Sequence, residues 1–335
     1  MEIYQQLKNE FPRLEADVSL KNYSTFKIGG PAKYFLRTSD KNELKNIIAR
    51  AIELNITFRI LGGGSNTLID DNGFDGLVLV YGIKDASKEK TIIEKRESSD
   101  GFYMITVNAA TPLFFLINQL NDFVGLEWAV GIPGTIGGAI NGDAGAMGES
   151  ISDIVESVGV LDISSGNIEE REIKRKDCLF GYRSSFFKGN ADIIISSAVL
   201  KMGKGDSEEI KKRINENISK RNGKQPKGFS IGSIFKNYEG YVDEKIEESF
   251  PELKIFKEKG IISAGFLIEK CGLKGKIIGG AKISEEHGNF IINFDNAKSK
   301  DVIDLINLIK KSVKEKFLID LKEEIQFLGA FAIDK

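Results

Sequence analysis

Seven residues, ILGGGSN at 60–66, constrain this chain more than any other stretch. Three successive glycines follow an apolar run, and a serine and an asparagine follow the glycines. Side chains are absent where something comes close to the backbone, and glycine's access to positive φ lets successive N–H groups converge on an anion. A second block, GIPGTIGGAINGDAGAMG at 131–148, holds Gly131, Gly134, Gly137, Gly138, Gly142, Gly145 and Gly148, with Pro133 fixing one turn. One glycine cluster reads equally well as a tight turn between strands. Two clusters about seventy residues apart, each beside apolar strands, point to one extended ligand gripped from two sides. Two named phosphate loops do not match: the dinucleotide fingerprint needs glycine where Thr67 stands, and the GK pairs at 223–224 and 275–276 continue as GKQ and GKI.

The rest of the composition removes other classes. A net charge of −2 gives no electrostatic reason to expect nucleic acid, and no aromatic–basic clusters suggest it. Cys178 and Cys271 stand far apart, form no CxxC pair and fit a reducing cytosol, so a cytoplasmic location is expected. His287 is the one histidine, which excludes a multi-histidine metal centre, and no metal is expected. The N-terminus lacks a signal peptide's apolar core, and no run of eighteen apolar residues exists, so membrane insertion is not expected.

Residues 40–55 read as a helix, with Leu44, Ile47, Ile48, Ala51 and Ile52 at helical spacing and Asp40 with Glu43 as a capping box. FRIL, the glycine loop and GLVLV at 76–80 then give strand, loop, strand. Residues 81–100 read as a solvated connection, and 111–120 as a helix with Pro112 in its first turn. Segments near 157–163 and 192–200 alternate as strands. Composition changes near 205, where a charged helix leads into a loop, and the preferred domain boundary lies there. SIGSIFKN and GNFIINF read as strands, SAGFLIEKCG as a helix, and 299–317 as a long helix with Val302, Leu305, Ile306, Ile309 and Val313 on one face.

GGGSN followed by TLI, GIPGTIGGAINGDAGA, FGYRSS, GSIFKN and EEIQFLG occur in this order between about Asn22 and Gly329. Together they resemble the UDP-N-acetylenolpyruvoylglucosamine reductases, flavoenzymes of bacterial cell-wall synthesis. The resemblance implies an α+β chain. An FAD-binding domain of the vanillyl-alcohol oxidase and p-cresol methylhydroxylase type would occupy 1–204, in two parts at about 20–80 and 81–204. A C-terminal α+β substrate domain would occupy 205–335. It further implies non-covalent FAD, NADPH as co-substrate and a UDP-sugar substrate. The FAD pyrophosphate would lie against Gly62, Gly63, Gly64, Ser65 and Asn66. Ile132, Pro133, Gly134, Thr135, Gly137, Gly138, Ala144 and Gly145 would line the flavin and adenine.

Three catalytic side chains carry over by motif. Arg183 in GYRSS would face the substrate carboxylate, where a guanidinium binds bidentately and stabilises the extra charge of an enolate. Ser233 in GSIFKN would donate the proton that completes reduction, with Lys236 supporting it. Glu324, immediately before Ile325, would hold the enol form; its neighbour Glu323 points to the opposite face of a strand. Lys236 and Asn237 would bind the substrate diphosphate. Arg221, Lys224 and Gln225, in a loop, would reach the same pocket, and His287 would be a substrate-side polar residue. Without the resemblance, each has a plainer reading: a salt-bridged surface arginine, a packed strand serine, solvated glutamates and a structural histidine.

The sequence departs from the family pattern in places. Residues 239–260 exceed the usual link, Tyr238 stands where proline is usual, and Asp143 replaces an asparagine, adding negative charge near an anionic cofactor. No loop supplies the substrate-clamping tyrosine of one branch, so the shorter branch matches better. Two alternatives stay open. One is another FAD oxidase of the same superfamily, although neither glycine block holds a histidine or cysteine for a covalent tether. The other is a non-catalytic nucleotide-binding relative, against which Arg183, Ser233 and Glu324 argue.

Overall fold

The chain divides into two bodies in a computed structural model that describes residues 2–84, 89, 91–222, 225–257 and 260–331. The first body takes Met1–Val18, Ala32–Gly63 and Asp75–Gly223; the second takes Ser19–Pro31, Gly64–Phe74 and Lys224–Lys335. A boundary at 205 is therefore corrected. The shift in composition there marks a polar helix, and that helix goes with the first body.

The first body begins with α1 (Glu2–Glu10), β1 (Glu15–Ser19), β2 (Pro31–Thr38), α2 (Lys41–Glu53) and β3 (Phe58–Leu61). Helix α2 forms where the apolar spacing places it, and Leu44, Ile47, Ile48 and Ala51 are its buried face. Asp40 caps it by accepting the Glu43 N–H at 2.8 Å. The capping box is half made, because the Glu43 carboxylate pairs with Arg13 instead. After β4 (Thr67–Ile69), which belongs to the second body, β5 (Phe74–Tyr81) completes a sheet ordered β1-β2-β5-β3. β3 and β5 are parallel, with Phe58 opposite Leu77. The unbroken apolar run of β5 follows from its burial on both faces.

A second sheet comprises β6 (Ile92–Glu97) and β7 (Tyr103–Asn108), then, beyond α3 (Leu113–Gln119), α4 (Ile136–Gly142), β8 (Gly145–Ala146) and β9 (Glu149–Ser150), the strands β10 (Val155–Asp162), β11 (Glu169–Lys174) and β12 (Ile193–Met202). Its order is β11-β10-β12-β7-β6, all antiparallel, while β8 and β9 form a separate hairpin. β6 lies inside the expected solvated connection. It is an edge strand, IIEKRE, almost wholly exposed, so it lacks the alternation that marks a half-buried strand. Pro112 is the N-cap of α3 rather than a first-turn residue.

Helix α5 (Ser207–Asn222) docks through polar groups. Ile210 is its one buried apolar side chain among the described residues. The Asn217 amide donates to the Glu127 carbonyl at 3.0 Å. Arg213 lies 3.2 Å from Glu127 Oε1, out of line for a hydrogen bond, and 3.2 Å from Glu149 of β9. The Glu127 side chain is 2% exposed and also accepts the Gly125 N–H at 2.6 Å.

The second body contains β13 (Tyr238–Glu239), α6 (Glu244–Ser249), α7 (Lys254–Lys257), β14 (Ile261–Ile262), α8 (Ala264–Lys270), β15 (Ile277–Ile278), β16 (Ala281–Ile283), β17 (Ile291–Asn293), α9 (Ser299–Phe317) and β18 (Gln326–Leu328). β15-β16-β17 form one antiparallel sheet, and β18 pairs in parallel with β4, Gln326 opposite Thr67. Helix α9 spans the residues its period indicates and buries Val302, Leu305, Ile306, Ile309 and Val313. The excursion at 239–260 is closed at its base by β13 and β14, with Tyr238 opposite Ile262. SIGSIFKN is not a strand. Gly232 turns it at φ +81°, and it makes only single bridges, Ser233 to Phe290 and Phe235 to Glu323.

Arg213→Ala leaves the Glu127 carboxylate buried without its counter-charge. Stability falls by about 1–3 kcal/mol, below a fully buried pair because the arginine is half exposed. Thermal unfolding shows a Tm several degrees lower, and adding Glu127→Gln restores part of it; an unchanged Tm contradicts polar docking of α5.

Candidate active site

In the first body the two glycine stretches meet backbone to backbone. A Cβ on Gly63 would lie 2.6 Å from Gly134 Cα, and one on Gly62 would lie 2.8 Å from Thr135 Oγ1. The missing side chains therefore make room for the chain itself. What the packing leaves over is hydrogen-bonding capacity: the N–H groups of Gly62 and Gly63 have no main-chain acceptor among the described residues. Two such donors in sequence suit an anion, which supplies acceptors and negative charge together.

The second stretch is held in the same body. Thr135 caps α4, its Oγ1 accepting the Gly138 N–H at 3.2 Å. Gly137 donates to the Ala109 carbonyl at 2.8 Å, and a Cβ there would meet Ala109 at 3.2 Å. Ile132 is half-buried and bonded to Ala129; Pro133 is exposed. Ala144 donates to Ala139 and accepts from Ile151, and Gly145 opens β8. Asp143, the departure from the family pattern, is buried, and its Oδ1 accepts the Ser152 N–H at 3.3 Å. Burial pushes its carboxyl above the usual carboxylate range, opposed by the Ser152 bonds and by Arg183.

Arg183 also belongs to this body. It sits in a turn closed by mutual bonds of Gly181 and Ser184, at φ +54°. Its Nη1 donates to the Asp143 carbonyl at 3.2 Å and its Nη2 to the Gly145 carbonyl at 2.6 Å. Arg221 is on the last turn of α5 rather than in a loop. Its Cδ would lie 3.3 Å from a Cβ on Gly131, and its Nε is buried with no partner among the described residues. Burial, then the charge of Arg183, lowers its pKa. The first body thus brings two guanidinium groups within electrostatic reach of each other, an arrangement that favours an anion.

In the second body, Gly64 takes φ +62°, and a Cβ there would lie 1.9 Å from the Tyr23 carbonyl oxygen. Ser65 is half-buried. Asn66 accepts the Gln326 N–H at 2.9 Å, and its amide donates to the Glu324 carbonyl at 3.3 Å, so it anchors the segment that carries Glu324. The Glu324 N–H donates to the Ile234 carbonyl at 2.8 Å. This bond sets Glu324 beside the residue that follows Ser233. Glu323 pairs with Lys310 at 2.8 Å. Lys236 donates its N–H to Lys322, and the Asn237 side-chain oxygen accepts the Ala264 N–H at 3.1 Å at the start of α8. Gln225 is exposed, and Lys224 lies outside the described residues.

His287 is built into a turn. Its Nδ1 accepts the Asn289 N–H at 3.2 Å, its ring packs edge-on to Phe290, and burial lowers its pKa. A residue that sequence reasoning missed stands beside it. Asn289, buried, accepts the Phe235 N–H at 3.0 Å, donates to the Phe235 carbonyl at 2.8 Å and takes the Ile234 N–H on its own carbonyl. It fixes the Ser233 segment without any ladder. An asparagine in the tripeptide His-Gly-Asn carries no periodic signal that could have revealed this.

The comparisons with known proteins follow the same division. A model described as FAD binding domain matches residues 32–171, and one described as the C-terminal domain of UDP-N-acetylenolpyruvoylglucosamine reductase matches 225–328. Among similar proteins of that name, the one from Caldanaerobacter subterraneus is 37% identical, over 95% of this chain and 94% of its own length. That from Bacillus subtilis is 35% identical over 98% of both. A crystal structure of the enzyme from Thermus caldophilus superposes with a TM-score of 0.70 at 31% identity, covering 95% of this chain and 99% of that one. The chain is an α+β flavoprotein oxidoreductase with an FAD-binding domain. It belongs to the UDP-N-acetylenolpyruvoylglucosamine reductase family, the FAD enzymes of peptidoglycan precursor synthesis that take NADPH as reductant.

Gly63→Ala forces a methyl group into the Gly134 backbone. The purified variant is expected to lose most of its flavin absorbance and melt several degrees lower. Gly142→Ala, whose Cβ would meet nothing within 4 Å, is expected to keep both. Equal behaviour of the two variants in absorbance and melting would contradict the close contact of the loops.

Proposed function

We propose that the chain reduces the enolpyruvyl group of UDP-N-acetylglucosamine enolpyruvate to give UDP-N-acetylmuramate, with Arg183, Ser233 and Glu324 as its catalytic side chains. FAD, when bound, supplies the hydride relay between NADPH and the substrate. Gly62, Gly63, Gly64, Ser65 and Asn66 would hold its diphosphate, and Ile132, Pro133, Gly134, Thr135, Gly137, Gly138, Ala144 and Gly145 would line its flavin and adenine. Neither stretch offers a histidine or cysteine, in keeping with non-covalent binding.

Arg183 binds the substrate carboxylate, and its fixed charge matters most when electron density accumulates there as an enolate. Ser233 gives its hydroxyl proton to the α-carbon. A hydroxyl is a weak acid, so the transfer needs a developed carbanion beside it and a cation such as Lys236 to hold the alkoxide. Glu324 holds the enol form through its carboxyl group. Lys236 and Asn237 bind the substrate diphosphate, and Arg221 adds positive charge. Gln225 and His287 complete the proposed substrate residues, His287 through the turn it builds. The observation that carries this reading is the main-chain bond from Glu324 to Ile234, which holds the proposed acid and the proposed carboxyl group on adjoining segments. Among the described residues no helix is long and apolar enough to cross a membrane. The two free cysteines suit a reducing compartment, and we place the reaction in the cytoplasm.

The test separates the half-reactions under anaerobic conditions. Ser233→Ala should let NADPH bleach the flavin at the normal rate, while its recovery on adding the enolpyruvyl substrate slows by about 10²-fold or more, the scale of a lost proton donor. Equal loss of both half-reactions contradicts the role given to Ser233.

A further inference from the structure

We propose that Asp143 is a positioning residue for Arg183, holding through one side-chain hydrogen bond the two carbonyls that aim the guanidinium. The inference rests on the reading of Arg183 as the carboxylate-binding side chain. Arg183 occupies a left-handed backbone conformation, φ +54°, which is strained for a residue with a side chain and persists only where the surroundings over-determine it. The surroundings do so at three points: Nη1 donates to the Asp143 carbonyl, Nη2 donates to the Gly145 carbonyl, and Lys188 Nζ donates to the Arg183 carbonyl at 3.2 Å. A guanidinium has five N–H groups in a planar fork. Two fixed on carbonyls set the plane of the whole fork.

Both carbonyls are positioned by Asp143. The residue ends α4 in the left-handed conformation, φ +43° and ψ 63°, with its N–H bonded back to the helix. Two residues on, Gly145 begins β8, which pairs with Ser150 of β9. The Asp143 carboxylate then accepts the Ser152 N–H, two residues past that pairing. The side chain thereby closes a ring running from the end of α4 through the hairpin and back. The ring is anchored on its far side, where Ser152 accepts from Arg175 Nε at 2.8 Å. Without the Asp143 bond, the hairpin and the helix end are still tied by the main-chain bonds of Ala144 to Ala139 and Ile151 and by the guanidinium itself, but the two carbonyls lose the side-chain brace that fixes one against the other.

Two substitutions separate the hydrogen bond from the backbone. Asp143→Gly keeps the left-handed conformation and removes the acceptor. Asp143→Asn keeps both that conformation, which asparagine tolerates, and an acceptor oxygen. Asp143→Gly is expected to slow flavin recovery on substrate by about 10-fold or more, as a small misplacement of a reacting group does, with bleaching by NADPH unchanged. Asp143→Asn is expected to restore the rate to within about twofold of the parent by rebuilding the same contact. A second readout needs no turnover. In ¹⁵N-arginine spectra, the signal assigned to Arg183 by its loss in Arg183→Lys should stay sharp and slow to exchange in the parent and in Asp143→Asn, and broaden in Asp143→Gly. An Arg183 signal that stays sharp in Asp143→Gly, or an Asp143→Asn variant as slow as Asp143→Gly, overturns the proposal. Arg183→Lys with undiminished substrate reduction would instead overturn the reading of Arg183, and the spectra would still report on the clamp.

Discussion

The contact that most of this architecture depends on is main chain against main chain, where Gly63 abuts Gly134. It leaves no space for a methyl group. Because it is formed by backbone alone, it fixes one glycine stretch against the other more tightly than interdigitating side chains, each with its own rotamers, could. It also leaves the N–H groups of Gly62 and Gly63 without main-chain acceptors among the described residues. Gly63 is exposed and Gly62 half-buried, so water can take these donors, and a bound anion would offer them acceptors and negative charge together. Tight self-packing and spare donors are two sides of one constraint.

The three consecutive glycines answer first to the packing of the chain on itself. Their pattern indicates close approach, correctly, but does not say by what. The Cβ directions of Gly62, Gly63 and Gly64 point at Thr135, Gly134 and Tyr23. Elements with a strong period were legible: α9 coincides with its apolar face, and β5 with its apolar run. Elements whose stability comes from elsewhere were not. β6 is a charged edge, and β4 has three residues held by a partner more than 250 positions away. Helix α5 looked like the start of a new domain because its composition is polar, and polar groups are also what dock it.

The same division runs through the site. Residue types at motif positions could be listed from the sequence, but their supports could not. Arg183 reads as an ordinary arginine until its left-handed turn and its two carbonyl partners are seen. Asn289 carries the Ser233 segment by both ends of its amide, a task no spacing rule announces. Arg221 and Arg183 illustrate the converse: burial, and after it the charge of Arg183, lowers the proton affinity of Arg221, and a bound anion would oppose both.

The pairing of Tyr238 with Ile262 has a further implication for how this chain can vary. The excursion between them enters and leaves through adjoining residues, so the distance spanned at its base is the same whatever its contents. Closing a longer loop between fixed ends carries an entropic penalty that rises only with the logarithm of its length. Material can therefore be added near Tyr241, which is exposed, with little strain at the base, whereas Phe250, Leu253 and Phe256 are held by packing on Phe317, the core and Phe266. This makes it a natural place for related chains to differ in length and for a foreign peptide to be inserted.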